Sequence, residues 1–319
     1  MEQTVLYIVV PCFNEEEVLP ETAKRLYLKL MGLIKNKKIS DRSRLLFVDD
    51  GSTDRTWEMI TSYHNKDRHF SGISLSRNRG HQNALLAGLM TAKEYCDAAI
   101  SMDADLQDDI DAVDDMLAKY QEDGCEIVYG VRNARESDTA FKRTTAQMFY
   151  RMMTRFGVET VQDHADYRLL SKKALDALQK YREKNLFLRG IVPQLGYKTG
   201  VVYYRRGERL AGESKYPLRK MVAFAVDGVT SFTTKPIESI FTTGMVLFIL
   251  SLIGFIIALI RLLSGSGTMM GMIFASVWLT GSLILVSIGV IGEYIGKAYM
   301  ESKDRPRYFI EKKLLDDGN

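Results

Sequence analysis

The sequence predicts a doubly wound, mostly parallel α/β domain followed by a two-helix membrane hairpin. Three observations carry this reading. Short apolar runs alternate with helical patterns from Val5 to Val131, the rhythm of a parallel sheet with crossover helices. Acidic residues follow directly after three of those runs, at Glu15, Asp49/Asp50 and Asp103/Asp105, and open α/β sheets bind ligands at that carboxyl edge. Finally, neither Ser239–Ile260 nor Leu262–Gly292 carries a charge, and each is long enough to cross a bilayer, which takes about 20 residues.

Taken in order, Val5–Val10 reads as an apolar strand ending at Pro11-Cys12-Phe13-Asn14-Glu15. A helix follows to about Asn36, with Glu15, Glu16 and Glu17 suiting its positive N-terminal end. Leu45–Val48 is a second strand, running into Asp49-Asp50-Gly51-Ser52, and Thr53 or Asp54 can cap the next helix, which carries Trp57, Met59 and Ile60. Gly72–Leu75 is a third strand, leading through Arg77-Asn78-Arg79-Gly80 to a helix that ends near Tyr95.

Ala98-Ala99-Ile100 then reads as a buried parallel strand that runs into Asp103-Ala104-Asp105-Leu106-Gln107. In extended backbone the i, i+2 spacing puts both carboxylates on one side. Such a pair suits a hard divalent cation, Mg2+ or Mn2+, which keeps positions open for phosphate oxygens and water. A lone D-x-D is also found as a solvated turn capping a helix, here the one starting near Asp111. That helix runs to Glu122, and a strand Glu126–Val131 follows.

Phe141–Phe156 has helical character and carries Lys142, Arg143, Arg151 and Arg155; Asp163 and Asp166 follow, as helix caps or as site residues. The guanidiniums of Arg205, Arg206 and Arg209, close to a membrane segment, suit phosphate recognition or an anionic lipid face. Pro217–Thr230 reads as an amphipathic helix on the membrane surface. The organisation expected is therefore 1–214 catalytic domain, 215–238 juxtamembrane segment, spans at about 239–260 and 271–292, and a basic tail over 293–319. Lys215, Arg219, Lys220 and Lys235 precede the first span and Lys297, Lys303, Arg305, Arg307, Lys312 and Lys313 follow the second, whereas the turn holds only Arg261. The distribution of basic residues places both termini in the cytoplasm and the hairpin turn outside, in a cell or inner membrane. Gly281, Ser282, Gly289 and Gly292 would allow close helix packing in a homo-oligomer.

Composition excludes several classes. A net charge of +3 does not suggest a nucleic-acid binder. Cys12, Cys96 and Cys125 are too widely spaced for a disulfide framework or a Cys-rich zinc site. Neither G-x-G-x-x-G nor a P-loop is present. Val5–Val10 is too short, and lacks a preceding basic region, for a signal peptide.

The motifs Pro11–Glu15, Asp49–Ser52, Asp103–Gln107, Asp163–Arg168 and Arg209–Tyr216, in this order and with two C-terminal spans, resemble the family 2 glycosyltransferases that act on polyprenyl phosphates. These include the bactoprenol glucosyltransferases and dolichol-phosphate mannose synthase. The resemblance implies a GT-A fold and a nucleotide-binding set of Pro11, Phe13, Glu15, Asp49, Asp50 and Asp103. It also implies a metal and diphosphate site at Asp103, Asp105 and Gln107, and phosphate-binding residues Arg132, Arg143, Arg209 and Lys215. Asp105, Asp163 and Asp166 become the catalytic candidates. Two departures, Phe13 where Tyr is common and Ala165 where Gly is common, remove no charge. The implied reaction is inverting transfer of a sugar from a nucleotide sugar, with UDP-glucose or UDP-N-acetylglucosamine leading, to undecaprenyl phosphate for cell-envelope glycosylation. A processive polysaccharide synthase would need more spans and a Q-x-x-R-W segment, which is absent. A non-catalytic nucleotide-sugar-binding membrane protein would not need the run of acidic residues after three strands.

Overall fold

Four parallel and three antiparallel strand pairings build one sheet of eight strands in the computed structural model. It describes residues 3–132, 164–183, 186–204 and 270–315, together with Val246, Ile249, Ile253, Ile260 and Ser264. The strands are β1 (Leu6–Cys12), β2 (Arg44–Asp49), β3 (Phe70–Leu75), β4 (Ala98–Ser101), β5 (Ile127–Arg132), β6 (His164–Ser171), β7 (Thr199–Tyr204) and β8 (Ile310–Leu314). Their spatial order is β7-β5-β6-β4-β1-β2-β3-β8. β4, β1, β2 and β3 run parallel, β6 and β8 lie antiparallel to their neighbours, and β5 is parallel to β7.

Both faces of the central strands are covered, so β1, β2 and β3 are buried along almost their whole length and read as continuous apolar runs. Alternation still sorts the side chains by face. Ile8, Val10, Leu45 and Phe47 share a core with α1 (Leu19–Lys35) and α4 (Ala112–Gln121). In α1, Leu19, Ala23, Leu26, Leu30 and Leu33 supply the buried stripe at helical spacing. On the other face α3 (His81–Ala92) lies against Val9 and Val48. It is buried nearly all round, including Ala84, Leu85, Leu86, Ala87 and Leu89. α2 (Thr56–Lys66) covers β3, while α5 (Lys172–Leu178) and α6 (Leu188–Gln194) contact β6.

The approach of α3 to the sheet depends on Gly88. A Cβ there would lie 2.4 Å from Val9 Cγ1 and 2.5 Å from Val48 Cγ2, and both neighbours are β-branched and stiff. Gly88→Ala is therefore expected to destabilise the fold by about 1–3 kcal/mol through overpacking, read as a lower denaturant midpoint. An unchanged midpoint would mean that helix and sheet slide apart at no cost.

The chain differs from its sequence reading in three places. β6 is a strand inside the sheet, where the sequence suggests only loop or cap positions; Asp166 and Arg168 therefore share one face of a strand. β7, ending at Tyr204, is likewise a strand. The region 293–319 is not simply a basic tail: α7 (Met270–Ser302) continues past Gly292, and β8 pairs with β3 from Ile310 to Leu314. Arg305–Asn319 accordingly belongs with the sheet in one compact unit, and Leu218–Asp304 belongs to a second.

α7 covers the second expected span in one 33-residue helix. Taken over the described residues, no helix is both long and apolar enough to cross a membrane. The first expected span, the juxtamembrane segment 215–238 and the Phe141–Phe156 helix lie outside the described residues apart from isolated positions. Cys12, Cys96 and Cys125 are free and buried.

Candidate active site

Four loops gather at the carboxyl ends of β1, β2, β3 and β4, and hydrogen bonds stitch the first three together. The Asn14 N–H donates to Ser52 Oγ at 3.0 Å, and the Thr53 N–H donates to Asn14 Oδ1 at 2.8 Å. The Glu15 N–H donates to Thr56 Oγ1, and the Glu16 N–H to Asp54 Oδ2. Asp54 also accepts from the Thr56 N–H at 3.0 Å, so it serves the start of α2 from just before the helix. Asn14 has φ +53°, a left-handed conformation that Asn tolerates better than most residues.

Asp49 and Asp50 are both buried and shape these loops. Asp49 accepts from the Ser52 N–H at 3.1 Å and from Ser74 Oγ at 2.8 Å. Asp50 accepts from the Arg79 N–H at 2.7 Å and from the Gly80 N–H at 2.9 Å, one on each oxygen. Burial raises its pKa, and those two N–H groups oppose the rise. Gly51 must be glycine: its φ is +67°, and a Cβ would stand 2.6 Å from the Arg77 carbonyl carbon. The D-D-G-S signature thus holds the 77–80 loop in place. Pro11 is buried in β1, Phe13 is 41 % exposed, and Glu15 is partly exposed.

The Asp103–Gln107 segment lies just beyond β4, which ends at Ser101. The two aspartates therefore stand on a turn, not on a continued strand as their spacing suggests. Leu106 has φ +52°, a strained position for a bulky residue and of the kind that collects at functional sites. The turn is pinned from three sides. Thr22 Oγ1 donates to the Ala104 carbonyl at 2.6 Å, Tyr167 Oη to the Asp109 carbonyl at 2.9 Å, and Tyr204 Oη to Asp108. The Gln107 N–H donates to Asp105 Oδ1 at 3.2 Å.

Asp103 is 37 % exposed, yet its pKa is pushed up to about 6. Burial is the main cause, and Asp108, Asp166 and Asp105 add to it against His81. It is crowded by protein but still reaches solvent. The surplus negative potential is what a cation would relieve. Among the described residues no group of three His, Cys, Asp or Glu side chains could hold a metal. A Mg2+-type site needs no such group, since one or two carboxylates plus substrate phosphates suffice, and Asp103 with Asp105 fits that donor set.

Beside Asp103 lies a second cluster, of which the sequence reading singled out only Asp166. His81 Nε2, in the first turn of α3, is 3.5 Å from Asp103 Oδ1 and 3.8 Å from Asp166 Oδ2. Asp166 is buried and accepts from Arg168 Nη2, from Arg189 Nη2 at 3.1 Å and from Gln82 Nε2 at 3.2 Å. Burial pushes its pKa up, but Arg189, Arg168 and His81 outweigh that and hold it well below the usual carboxylate range. Neither the i, i+2 pair Asp166/Arg168 nor Arg189 was recognisable as one cluster without knowing that β6 is a strand. A histidine directly after the Gly80 turn was the one signal available in sequence.

Of the remaining candidates, Arg132 closes β5, with its side chain outside the described residues. Asp163, Arg143, Arg209 and Lys215 lie outside them altogether.

The family described as "Glycosyl transferase family 2" matches residues 7–179. The chain is 50% identical over 316 residues to the uncharacterized glycosyltransferase YkoT of Bacillus subtilis, covering 99% of this chain and 94% of that one. It is 34% identical over 318 residues to the prophage bactoprenol glucosyl transferase homolog of Escherichia coli, covering 96% and 98%. It is equally 34% identical to the bactoprenol glucosyl transferase of Shigella phage SfII, covering 96% and 97%. A mostly parallel α/β sheet with its acidic loops at the carboxyl edge is the GT-A-type arrangement expected of such a sequence, and the chain belongs to glycosyl transferase family 2.

Proposed function

We propose that this protein transfers a sugar from a nucleotide-diphosphate sugar to a polyprenyl phosphate, with UDP-glucose or UDP-N-acetylglucosamine as donor and undecaprenyl phosphate as acceptor. The observation that carries the proposal is the pairing of two oppositely charged clusters side by side beyond the end of β4. A carboxylate-rich turn at Asp103 and Asp105 stands beside the Arg189–Asp166–Arg168 cluster, with His81 between them. Near full-length similarity to bactoprenol glucosyl transferases supports the choice of acceptor.

Two anionic groups must meet at this site. A phosphate monoester has its second pKa near about 6, so the attacking oxygen is already largely ionised and needs no strong base. The residues instead have to orient the partners and balance charge. Asp103 and Asp105 would hold Mg2+ or Mn2+. Such a cation, when bound, offsets the charge that develops on the leaving diphosphate. Pro11, Phe13, Glu15 and the loops shaped by Asp49 and Asp50 would receive the nucleoside. Arg209 and Lys215 would close on the diphosphate, and Arg132 and Arg143 would face the acceptor. As the acceptor oxygen bonds to the anomeric carbon, the bond from that carbon to the diphosphate breaks, and the configuration inverts.

The test is a donor screen. Full-length protein in detergent is mixed with a short polyprenyl phosphate, Mg2+ or Mn2+, and radiolabelled UDP-glucose, UDP-N-acetylglucosamine or GDP-mannose. Label should pass into the organic-extractable fraction with one uridine donor. No label there with any donor would reject the proposal.

We further infer a membrane hairpin with the catalytic unit in the cytoplasm. β8 belongs to the same sheet as β3, so the chain leaves and rejoins one folded unit, and crossings in between come in an even number. The charge-free stretches Ser239–Ile260 and Leu262–Gly292 supply two. Ser266→Cys should react with an impermeant thiol reagent applied to whole cells. Labelling only after permeabilisation would overturn this topology.

A further inference from the structure

Asp166 stands where a general base would be sought, yet its surroundings are built for another task. Oδ1 receives Arg168 Nη2, and Arg189 Nε lies 3.4 Å from it; Oδ2 receives Arg189 Nη2 at 3.1 Å and Gln82 Nε2 at 3.2 Å. Arg189 therefore addresses the carboxylate side-on through two nitrogens, the fork geometry that fixes a guanidinium plane. A carboxylate held by two guanidiniums and an amide is a poor proton acceptor. Its low pKa, caused by Arg189 and Arg168 against the opposing effect of burial, agrees with that geometry.

The backbone carrying Arg189 is pinned as well. The Leu188 N–H donates to Gln82 Oε1 at 3.1 Å, and the Leu188 carbonyl accepts from Arg168 Nη1 at 3.2 Å. Both peptide groups of the residue preceding Arg189 are thus tied to side chains that themselves hold Asp166. Arg168 is fully buried, whereas the Arg189 side chain is 32 % exposed. Of the two guanidiniums sharing the carboxylate, Arg189 is the one that reaches solvent. It does so two contacts away from Asp103, through Asp166 and His81.

We propose that Arg189 is a binding residue for the phosphate of the acceptor, and that Asp166 is a positioning residue that aims it. This rests on the acceptor chemistry of the proposed function and assigns it a specific group. A planar guanidinium held along one edge and 32 % exposed meets a ligand in a set plane, which suits a phosphate better than a mobile Lys would.

Binding and turnover of a short-chain prenyl phosphate by full-length protein in detergent test this, with UDP binding as the control for folding. Arg189→Lys should raise the apparent KM for the prenyl phosphate by about tenfold or more, because charge is kept and the fork is lost. Arg189→Gln should raise it further, and Asp166→Asn should act in the same direction. The KM for nucleotide sugar and the affinity for UDP should stay unchanged in all three. Guanidinium ion added to Arg189→Ala should restore part of the turnover. If the wild type binds no prenyl phosphate, the acceptor reading falls and takes this assignment with it. If the wild type binds it and the Arg189 variants bind it equally well, only the assignment falls. A collapse of kcat in Asp166→Asn with acceptor KM unchanged would instead make Asp166 a proton acceptor and overturn the positioning role.

Discussion

Asp105→Asn is expected to lower sugar transfer by about two to three orders of magnitude, comparable to removing one strong electrostatic stabiliser from a preorganised site. The change keeps shape and removes one charge from a partly exposed turn residue, so the fold should be unaffected. Chelation of the wild type should reproduce the loss, and Mg2+ or Mn2+ should reverse it. The pKa of Asp103 gives this prediction a pH signature. Its carboxyl is pushed up to about 6 by burial and by Asp108, Asp166 and Asp105. A cation must therefore displace a proton at acidic pH, since metal-ligating carboxylates have to be ionised. The half-saturating metal concentration should rise by up to about tenfold per unit below pH 6 and level off above it. The sign for stability is the opposite. A raised carboxyl pKa favours the metal-free fold at low pH, and that contribution is lost as pH rises through about 6. Added metal should restore it. Full activity in chelator, or a metal requirement independent of pH, would reject the assignment of Asp103 and Asp105.

The central sheet was legible in sequence because burial on both faces leaves an unbroken apolar run. Leu45–Val48, Gly72–Leu75 and Ala98–Ile100 each fall inside the strand observed, and Val5–Val10 overlaps β1 from Leu6 onward. The carboxyl-edge loops followed from the same reading. What failed were elements whose identity depends on distant partners. β8 has the sequence Ile-Glu-Lys-Lys-Leu, charged in the manner of a guarded sheet edge. It becomes a strand by pairing with β3, far away in sequence. β6 carries Asp166 and Arg168 on one face, and a charged pair inside a strand does not resemble a core strand until each is seen to neutralise the other. Asp49 and Asp50 were legible as important but not by role. Residue type alone does not distinguish a carboxylate that meets ligand from one that accepts the Arg79 and Gly80 amides. His81 and Arg189 were not singled out, because neither belongs to an acidic or basic run and their relation to Asp103 and Asp166 exists only in the fold.

Asp166→Ala is expected to lower stability by about 3–5 kcal/mol, the cost of leaving a buried charge without its partner. Arg168 is the charge in question. It is 1 % exposed and its ion pair is with Asp166. Its Nη1 bond to the Leu188 carbonyl offers a dipole but no counter-charge. The pH dependence follows from the depressed pKa of Asp166, which Arg189 and Arg168 bring about against burial. Its contribution is fully present above the unfolded carboxylate value of about 3.9 and fades only as pH falls from there toward the lower folded value. Wild type and Asp166→Ala should therefore differ by a constant amount across neutral and mildly acidic pH, and the gap should narrow only in strong acid. Removing both charges separates structure from function. The double variant Asp166→Leu with Arg168→Met should recover much of the lost stability, since a buried pair replaced by apolar groups is often neutral. Sugar transfer should remain impaired, because Arg189 would still lack the carboxylate that orients it. Denaturant midpoints and acceptor KM, measured on the same three proteins, decide the matter. If the double variant regained both stability and acceptor affinity, the cluster would be a structural ion pair alone. If Asp166→Ala kept its midpoint, Arg168 would not depend on Asp166 for its charge balance.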